Sequence, residues 1–379
     1  MIPTFEEKNK FFQKLFNNKK LAWMGQNTNH FPNFDAIKDA MKKSIDEEEY
    51  HAYAPPMGVE ELRSLIAEDL GVPDATTWVT DGATVGLYQL THTLLQTGDE
   101  FLTTDPGYFI TINFARHAGA KVVSMPVYNP DQQYKLKVEQ LKEKLNPKTK
   151  MLYLVDPNNP LGCVYTESEI RSFSELCEDN GTLFVHDSTY KHFADEHFSI
   201  LKASLENSMA IYSFSKFAGM AGLRIGAVVS NESIVEKFTK AQVNNLGTNI
   251  IAQRGAIAAL KTKDQWFGDV LKATRKNTSL VKDAVDSVDG AYVTVYPSST
   301  NFLCVDIKET GVHPESLCAY LLENTDFFIR HAGYQTELYK DRFVKISVSV
   351  PQPEIEAFCE HLPTAIEEAR KITPGKALF

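Results

Sequence analysis

Short apolar runs alternate with stretches of helical period along most of the chain. The runs over residues 150–155 and 209–214 have the length of strands buried on both faces. The full pattern predicts strands over 77–80, 100–104, 121–126, 150–155, 182–186 and 209–214. It predicts helices over 60–70, 83–95 and 111–118, and further helices that begin at Glu167 and Ile234. Such alternation is typical of an α/β fold with a wound, mainly parallel sheet.

The pattern changes after about residue 260. A long helix over 264–288 is followed by strands over 291–295, 301–307 and 344–350, with a helix from Pro314 and a closing helix. This predicts a smaller α+β domain. We therefore expect a large domain of residues 46–262, and a small domain of residues 263–379 joined by residues 1–45 as an N-terminal arm.

Composition narrows the classes of partner. The 379 residues are 43% hydrophobic and 23% charged, which fits a globular chain, and the net charge of −10 opposes binding to nucleic acid or to an anionic membrane. Five cysteines without a C-x-x-C pair predict neither a disulfide framework nor a metal site. The N-terminus lacks the pattern of a signal peptide, so we expect a soluble, cytoplasmic protein that acts on small molecules.

Polar clusters follow the predicted strands where each strand ends. Ligands of wound α/β sheets bind at the carboxyl ends of the strands, so these clusters are the candidate site. They are Asp81-Gly82-Ala83-Thr84, Asp105-Pro106-Gly107-Tyr108, Asp156-Pro157-Asn158-Asn159, Asp187-Ser188-Thr189-Tyr190 and Ser213-Phe214-Ser215-Lys216.

The segment from Ser213 to Gly226 combines a reactive amine with groups that bind an anion. Lys216 follows a buried strand, where desolvation and nearby cations lower the pKa of an amine and free it to form a Schiff base. Arg224, eight positions later, offers a planar fork for a phosphate. The S-x-x-K signature of serine acyl-transferases also fits, but its S-D-N and K-T-G companions do not occur in the chain. The glycine spacing differs from that of dinucleotide-binding loops.

These residues resemble the active-site signature of the class I/II aminotransferases, which are fold-type I pyridoxal 5′-phosphate (PLP) enzymes and include aspartate and histidinol-phosphate aminotransferases. The similarity runs through most of the chain, in the order typical of the family. The matching elements are Tyr53-x-x-x-Met57-Gly58 with Leu62-Arg63, Gly98-Asp99-Glu100, Asn159-Pro160-Leu161-Gly162 and Asp187-x-x-Tyr190.

The resemblance implies a role for each of these residues. Lys216 would hold PLP as a Schiff base and move the proton between the substrate and the cofactor, and Asp187 would keep the pyridine nitrogen protonated. Asn159 and Tyr190 would donate hydrogen bonds to the phenolic oxygen of PLP, and Tyr108 would stack on its ring. The phosphate would be bound by Gly82, Ala83, Thr84, Ser213, Ser215 and Arg224, and by Tyr53 of the neighbouring subunit. The last contact implies a homodimer with shared active sites.

The chain departs from the family pattern where the substrate carboxylate is bound. Lys345 stands where many relatives have the arginine of an Arg-x-Ser motif, and a lysine cannot form the bidentate fork. Lys345 and Asn159 are the predicted substrate contacts. Either a nearby arginine, Arg330 or Arg342, supplies the fork, or the substrate is not held in the standard way. Leu161 and Asp156 also replace residues that are usual in the family, which we expect to alter only the local turn.

The resemblance implies an aminotransferase that transfers an amino group from an amino acid to a 2-oxo acid by a ping-pong mechanism. An altered carboxylate contact leaves other reactions of the same fold open, namely those of a PLP-dependent lyase, decarboxylase or racemase. A non-catalytic PLP-binding module is a further alternative.

Overall fold

The computed structural model describes residues 4–240 and 246–374 and separates the chain into two compact units. The larger unit consists of Pro32–Asn159 and Cys163–Gly268, and the smaller one of Met1–Phe31, Pro160–Gly162 and Asp269–Phe379. The predicted domain boundaries at residues 46 and 262 stay predictions. No helix within the described residues is both long enough and apolar enough to cross a membrane.

A seven-stranded sheet forms the centre of the larger unit. Gly226–Ser230 runs antiparallel to both of its neighbours, and the other neighbouring strands are parallel. The predicted α/β fold with a mainly parallel sheet is therefore confirmed. The strand order is Thr76–Thr80, Gly226–Ser230, Ser208–Ser213, Leu183–Asp187, Thr149–Val155, Glu100–Asp105 and Lys121–Pro126.

Helices connect these strands, and the sequence marks several of their ends. Thr166 caps the helix Glu167–Asn180 through a capping box with Glu169, and Gly181 ends it in the left-handed conformation at φ 67°. The helices of the larger unit are Asp35–Asp46, Glu60–Asp69, Ala83–Leu94, Phe109–His117, Val138–Lys144, Glu167–Asn180, Glu232–Lys240 and Ile250–Lys261. The long helix Lys263–Asp286 begins in this unit and ends in the smaller one.

The smaller unit has a four-stranded antiparallel sheet in the order Arg330–His331, Phe343–Ser347, Phe302–Asp306 and Tyr292–Val293. A separate parallel pair joins Ala22–Trp23 to Phe327–Phe328. The helices are Phe5–Asn17, Pro314–Thr325 and Gln352–Ala369. Apolar side chains of the sheet and of the last two helices, such as Leu303, Leu317 and Phe358, form one buried core.

Candidate active site

Asp187 lies buried at the carboxyl end of the strand Leu183–Asp187. The Tyr153 hydroxyl donates to its Oδ2 at 2.7 Å, and the backbone N–H of Thr189 donates to its Oδ1 at 3.1 Å. Burial raises the pKa of Asp187, while the hydrogen bonds from Thr189 and Tyr153 oppose that rise. A desolvated carboxylate of this kind suits a buried cation, and a protonated ring nitrogen is such a cation.

Lys216 follows the buried strand Ser208–Ser213 after two residues. Burial, followed by the charge of Arg224, lowers the pKa of its amine to about 8, and the charge of Asp187 opposes this change. The amine of Lys216 therefore feels both charged groups that the sequence predicts around it. An amine with this pKa is neutral in a much larger fraction of molecules near pH 7 than an exposed lysine is.

The guanidinium of Arg224 lies against the start of the helix Ala83–Leu94. Gly82, which precedes that helix, has φ +81°, and a Cβ atom added to it would lie 2.3 Å from Nη2 of Arg224. Arg224 itself is left-handed at φ 53°, and its Nη1 donates to the carbonyl of Ala221 at 2.8 Å. The first N–H groups of a helix have no partner within it, so a guanidinium beside them forms a site for a dianion such as a phosphate.

Tyr108 interacts electrostatically with both Asp187 and Arg224. The charges of Asp187 and Arg224 both act on its phenol, which also forms a hydrogen bond with the side chain of Thr84. Burial is the main cause that raises the pKa of Tyr108. The charges of a carboxylate and of a guanidinium therefore both act on Tyr108, the residue that is predicted to stack on the planar cofactor.

The other predicted cofactor residues divide into buried and exposed ones. Asn159, Tyr190, Ser213 and Ser215 are buried at or just beyond strand ends, and the Oγ of Ser213 accepts from the backbone N–H of Ser215 at 3.3 Å. Tyr53 has 79% of its surface exposed. The polar groups near the strand ends are thus a carboxylate, a desolvated amine, a guanidinium and hydroxyls. This is the set of groups that PLP requires.

The chain matches the model of the family described as aminotransferase class I and II over residues 19–362. It belongs to this family. The aspartate aminotransferase of Pyrococcus horikoshii is 28% identical over 354 residues, which cover 89% of each chain. The histidinol-phosphate aminotransferase of Methanosphaera stadtmanae is also 28% identical, over 91% of this chain and 90% of that protein.

The fold agrees with solved structures. The aspartate aminotransferase from Thermus thermophilus with maleate superimposes with a TM-score of 0.84 at 21% identity, over 96% of this chain and 97% of that one. Together with membership of the aminotransferase family, this confirms the fold-type I prediction. The chain is a PLP-dependent aminotransferase, an enzyme that acts on an amino acid and a 2-oxo acid. The role of each site residue stays a prediction.

A buried histidine pair lies beside the cofactor residues of this aminotransferase. Nε2 of His186 lies 3.0 Å from Oδ2 of Asp156, and the ring of His197 stacks on His186 with centroids 5.3 Å apart. The backbone N–H of Ile200 donates to Nδ1 of His186 at 3.4 Å, so the ring proton lies on Nε2 and is donated to Asp156. Although the three side chains are close enough to share a metal ion, this bonding makes them a hydrogen-bonded support for the loop of Asp156.

The predicted carboxylate contact, Lys345, lies in the smaller unit and is only 3% exposed. Its Nζ is 5.3 Å from the ring centroids of both Phe302 and Tyr334. Arg330 is paired with Lys345 across the antiparallel strands, and its Cζ is 4.4 Å from the Tyr334 ring. By contrast, Nε of Arg342 donates to Asp306 at 2.9 Å, so the charge of Arg342 is balanced by a carboxylate.

Proposed function

We propose that Lys216 is the lysine that binds PLP and moves the proton during a ping-pong transfer from an amino acid to a 2-oxo acid. The observation that carries this proposal is the position of Lys216, two residues beyond the buried strand Ser208–Ser213, where burial and the charge of Arg224 lower the pKa of its amine to about 8 against the effect of Asp187. PLP, when bound, supplies an electron sink that stabilises negative charge at the substrate Cα. The neutral amine of Lys216 is the base that takes up the proton from that carbon.

The neighbouring residues hold the cofactor in this proposal. Asp187 keeps the pyridine nitrogen protonated, and Tyr108 stacks on the ring. Asn159 and Tyr190 donate to the phenolic oxygen. The phosphate is bound by Arg224, by the N–H groups of Gly82, Ala83 and Thr84, and by the hydroxyls of Ser213 and Ser215. All of these residues belong to the larger unit.

We also propose that the substrate carboxylate is bound by Arg330 with Lys345, both in the smaller unit. The contact with Asn159 stays a prediction from the sequence. Directly opposed residues of an antiparallel pair have Cβ atoms about 5 Å apart, so Arg330 and Lys345 present two positive charges side by side. Like charges in this position repel each other, and a bound anion relieves the repulsion. Arg330 supplies the fork that Lys345 lacks, whereas Arg342 is already paired with Asp306.

The test is covalent capture of PLP. Borohydride treatment of the PLP-loaded protein should fix the cofactor on the peptide that contains Lys216. Lys216→Ala should prevent that fixation and lower kcat by at least about 10³-fold, because the base and the covalent attachment are lost together. Lys42→Ala, which removes an exposed lysine paired with Asp39, is the control and should change neither property. Fixation on another lysine would disprove the proposal.

The lyase, decarboxylase and racemase alternatives stay open, because the carboxylate contact decides which bond of Cα is broken. Lys345 stands where many relatives have an arginine for that contact. The products distinguish them. A transferase yields keto acid, whereas a lyase also releases ammonia, a decarboxylase releases carbon dioxide and a racemase changes only the chirality. A PLP-binding module without turnover would yield none of these products. The homodimer and the cytoplasmic location stay predictions.

A further inference from the structure

A second charged cluster lies in the larger unit around Asp69, the last residue of the helix Glu60–Asp69. Its carboxylate side chain is only 6% exposed. It accepts from the Tyr212 hydroxyl at 2.6 Å, lies 2.9 Å from Nε2 of His192 and 2.8 Å from Nζ of Lys191, and forms a further ion pair with Lys263. Burial opposes its ionisation, but the hydrogen bond with His192 and the charges of Lys191 and Lys263 hold the pKa of Asp69 far below its usual range.

The groups around Asp69 depend on its negative charge. Burial, followed by the charge of Lys191, lowers the pKa of His192 to about 4, so this imidazole is neutral near pH 7. Lys191 and Lys263 are the cations of the cluster, and each of them lowers the pKa of His192. The charge of Lys263 also lowers the pKa of Lys191, after the larger effect of burial, while Asp69 raises it. Without the carboxylate, two neighbouring ammonium groups would face each other in a site with little water.

Asp69 contacts both segments that carry predicted catalytic residues. Lys191 and His192 directly follow Tyr190 in the loop after Asp187. Tyr212 lies in the strand Ser208–Ser213 that leads to Lys216. The ring of His192 also stacks on Phe217, with centroids 3.8 Å apart and an interplanar angle of 22°.

Phe217, the residue after Lys216, is fully buried among aromatic rings. Its centroid lies 5.6 Å from that of Phe214 and 6.0 Å from that of Trp266. Lys216 is therefore followed directly by a residue that packs in an apolar cluster and is covered by the ring of His192. Because burial is the main cause of the low pKa of Lys216, any loosening of this cluster should let water reach the amine.

We propose that Asp69 is a positioning residue of the active site. It holds Tyr190 in place through Lys191 and His192, and it excludes water from the amine of Lys216 through His192 and Phe217. The inference rests on the proposed role of Lys216. It goes beyond that role because it assigns a function to a carboxylate that touches neither the cofactor residues nor the substrate contacts predicted above.

The test measures how the full-length chain, freed of PLP, captures added PLP at a series of pH values. Only the neutral amine reacts, so the midpoint of the capture rate reports the pKa of Lys216, which is about 8 in the unchanged chain. Asp69→Asn should raise the midpoint toward the ordinary value for lysine. A rise of one unit would lower the capture rate below the midpoint by about tenfold.

Glu49→Gln is the matched control. It also replaces a carboxylate by its amide, breaks an ion pair with Arg254 in the same unit, and should leave the midpoint unchanged. Tyr212→Phe removes one hydroxyl from Asp69 and should raise the midpoint by a smaller amount, which keeps the test valid if Asp69→Asn does not fold. Asp69→Glu should restore part of the shift.

The outcomes separate the two proposals. If Asp69→Asn and Tyr212→Phe lower the unfolding temperature but leave the capture midpoint unchanged, Asp69 has only a structural role and the inference is overturned. If the unchanged chain captures PLP on a lysine other than Lys216, the proposed function fails instead.

Discussion

Lys216 and Lys191 differ in the charged side chains around their amines. Lys216 and Lys191 are both of intermediate exposure, and desolvation lowers the pKa of both amines. They differ in their neighbours, because Lys191 is in direct contact with the carboxylate of Asp69, whereas Arg224 lowers the pKa of Lys216 further. This difference in charge supports the proposed chemistry at Lys216 and the proposed positioning role of Lys191.

The carboxylate contact gives a prediction for two arginines of the smaller unit. Arg330→Lys keeps the charge but removes the fork, so we expect amino-acid binding to weaken by roughly 10–100-fold, the value of a charge-assisted bidentate pair. Titration of the PLP-loaded protein with an amino acid, followed by its visible absorbance, measures this affinity. An amine that lacks the carboxylate should bind equally well to both proteins.

Arg342→Lys is the control, because Arg342 is paired with Asp306. We expect it to bind the amino acid as the unchanged chain does. Equal affinities of the Arg330→Lys and Arg342→Lys variants would rule out a role for Arg330.

Residues of the candidate site could be predicted from the sequence where they are contiguous. Lys216 and Arg224 lie within one short segment, and Asp187 and Tyr190 within another, so each motif is visible without the fold. Tyr153 and Asp69 could not be predicted. Tyr153 reaches Asp187 from a neighbouring strand, and Asp69 reaches Tyr212 across 143 positions. Only the folded chain brings such partners together.

At the scale of elements, buried parallel strands were predicted closely, because their apolar runs are short and bounded by polar residues. The strand Lys121–Pro126 has the predicted bounds, and Thr149–Val155 begins one residue earlier than predicted. The strand Gly226–Ser230 and the helix Val138–Lys144 were missed. The first directly follows a glycine-rich segment that favours a loop, and the second has only seven residues, too few to show a helical period.

The start of the helix Ala83–Leu94 gives a second prediction. Gly82→Ala should push the guanidinium of Arg224 away from the first N–H groups of the helix, since an added Cβ would lie 2.3 Å from Nη2. We expect PLP affinity to fall by about tenfold or more, equivalent to the loss of at least one charge-assisted hydrogen bond. Fluorescence titration of the PLP-free chain measures this affinity.

Gly98→Ala is the matched variant. Gly98 also has a positive φ, of +101°, but within the described part of the chain no atom beyond its two chain neighbours lies within 4 Å of an added Cβ. Both variants should lose about 1 kcal/mol of stability through backbone strain, and only Gly82→Ala should lose PLP affinity. A similar loss of affinity in both would show that strain, not the displacement of Arg224, is the cause.

At the scale of the whole molecule, the predicted homodimer can be tested through Tyr53. In a dimer with shared sites, a chain with Tyr53→Ala supplies an intact Lys216, and a chain with Lys216→Ala supplies an intact Tyr53. Co-expression of these two inactive or weakened chains should therefore create one complete site in each mixed dimer. We expect activity well above that of either variant alone, measured as keto acid formed per dimer.

Each variant expressed alone, and mixed after purification without exchange of subunits, provides the control. Activity of the co-expressed pair that merely equals the average of the two variants would show that Tyr53 acts within its own chain or not at all.

The strand Gly226–Ser230 runs antiparallel to both of its neighbours in the seven-stranded sheet. Ser208–Ser213 and Gly226–Ser230 are adjacent and antiparallel, so the chain between them is a loop that is anchored at both ends in neighbouring strands of the sheet. Lys216 and Arg224 both belong to this loop. An insertion or deletion between them would change the spacing from the proposed covalent attachment to the proposed anion contact while leaving both strands in place. The length of this loop therefore limits the size of the molecule that could contact Lys216 and Arg224 at the same time.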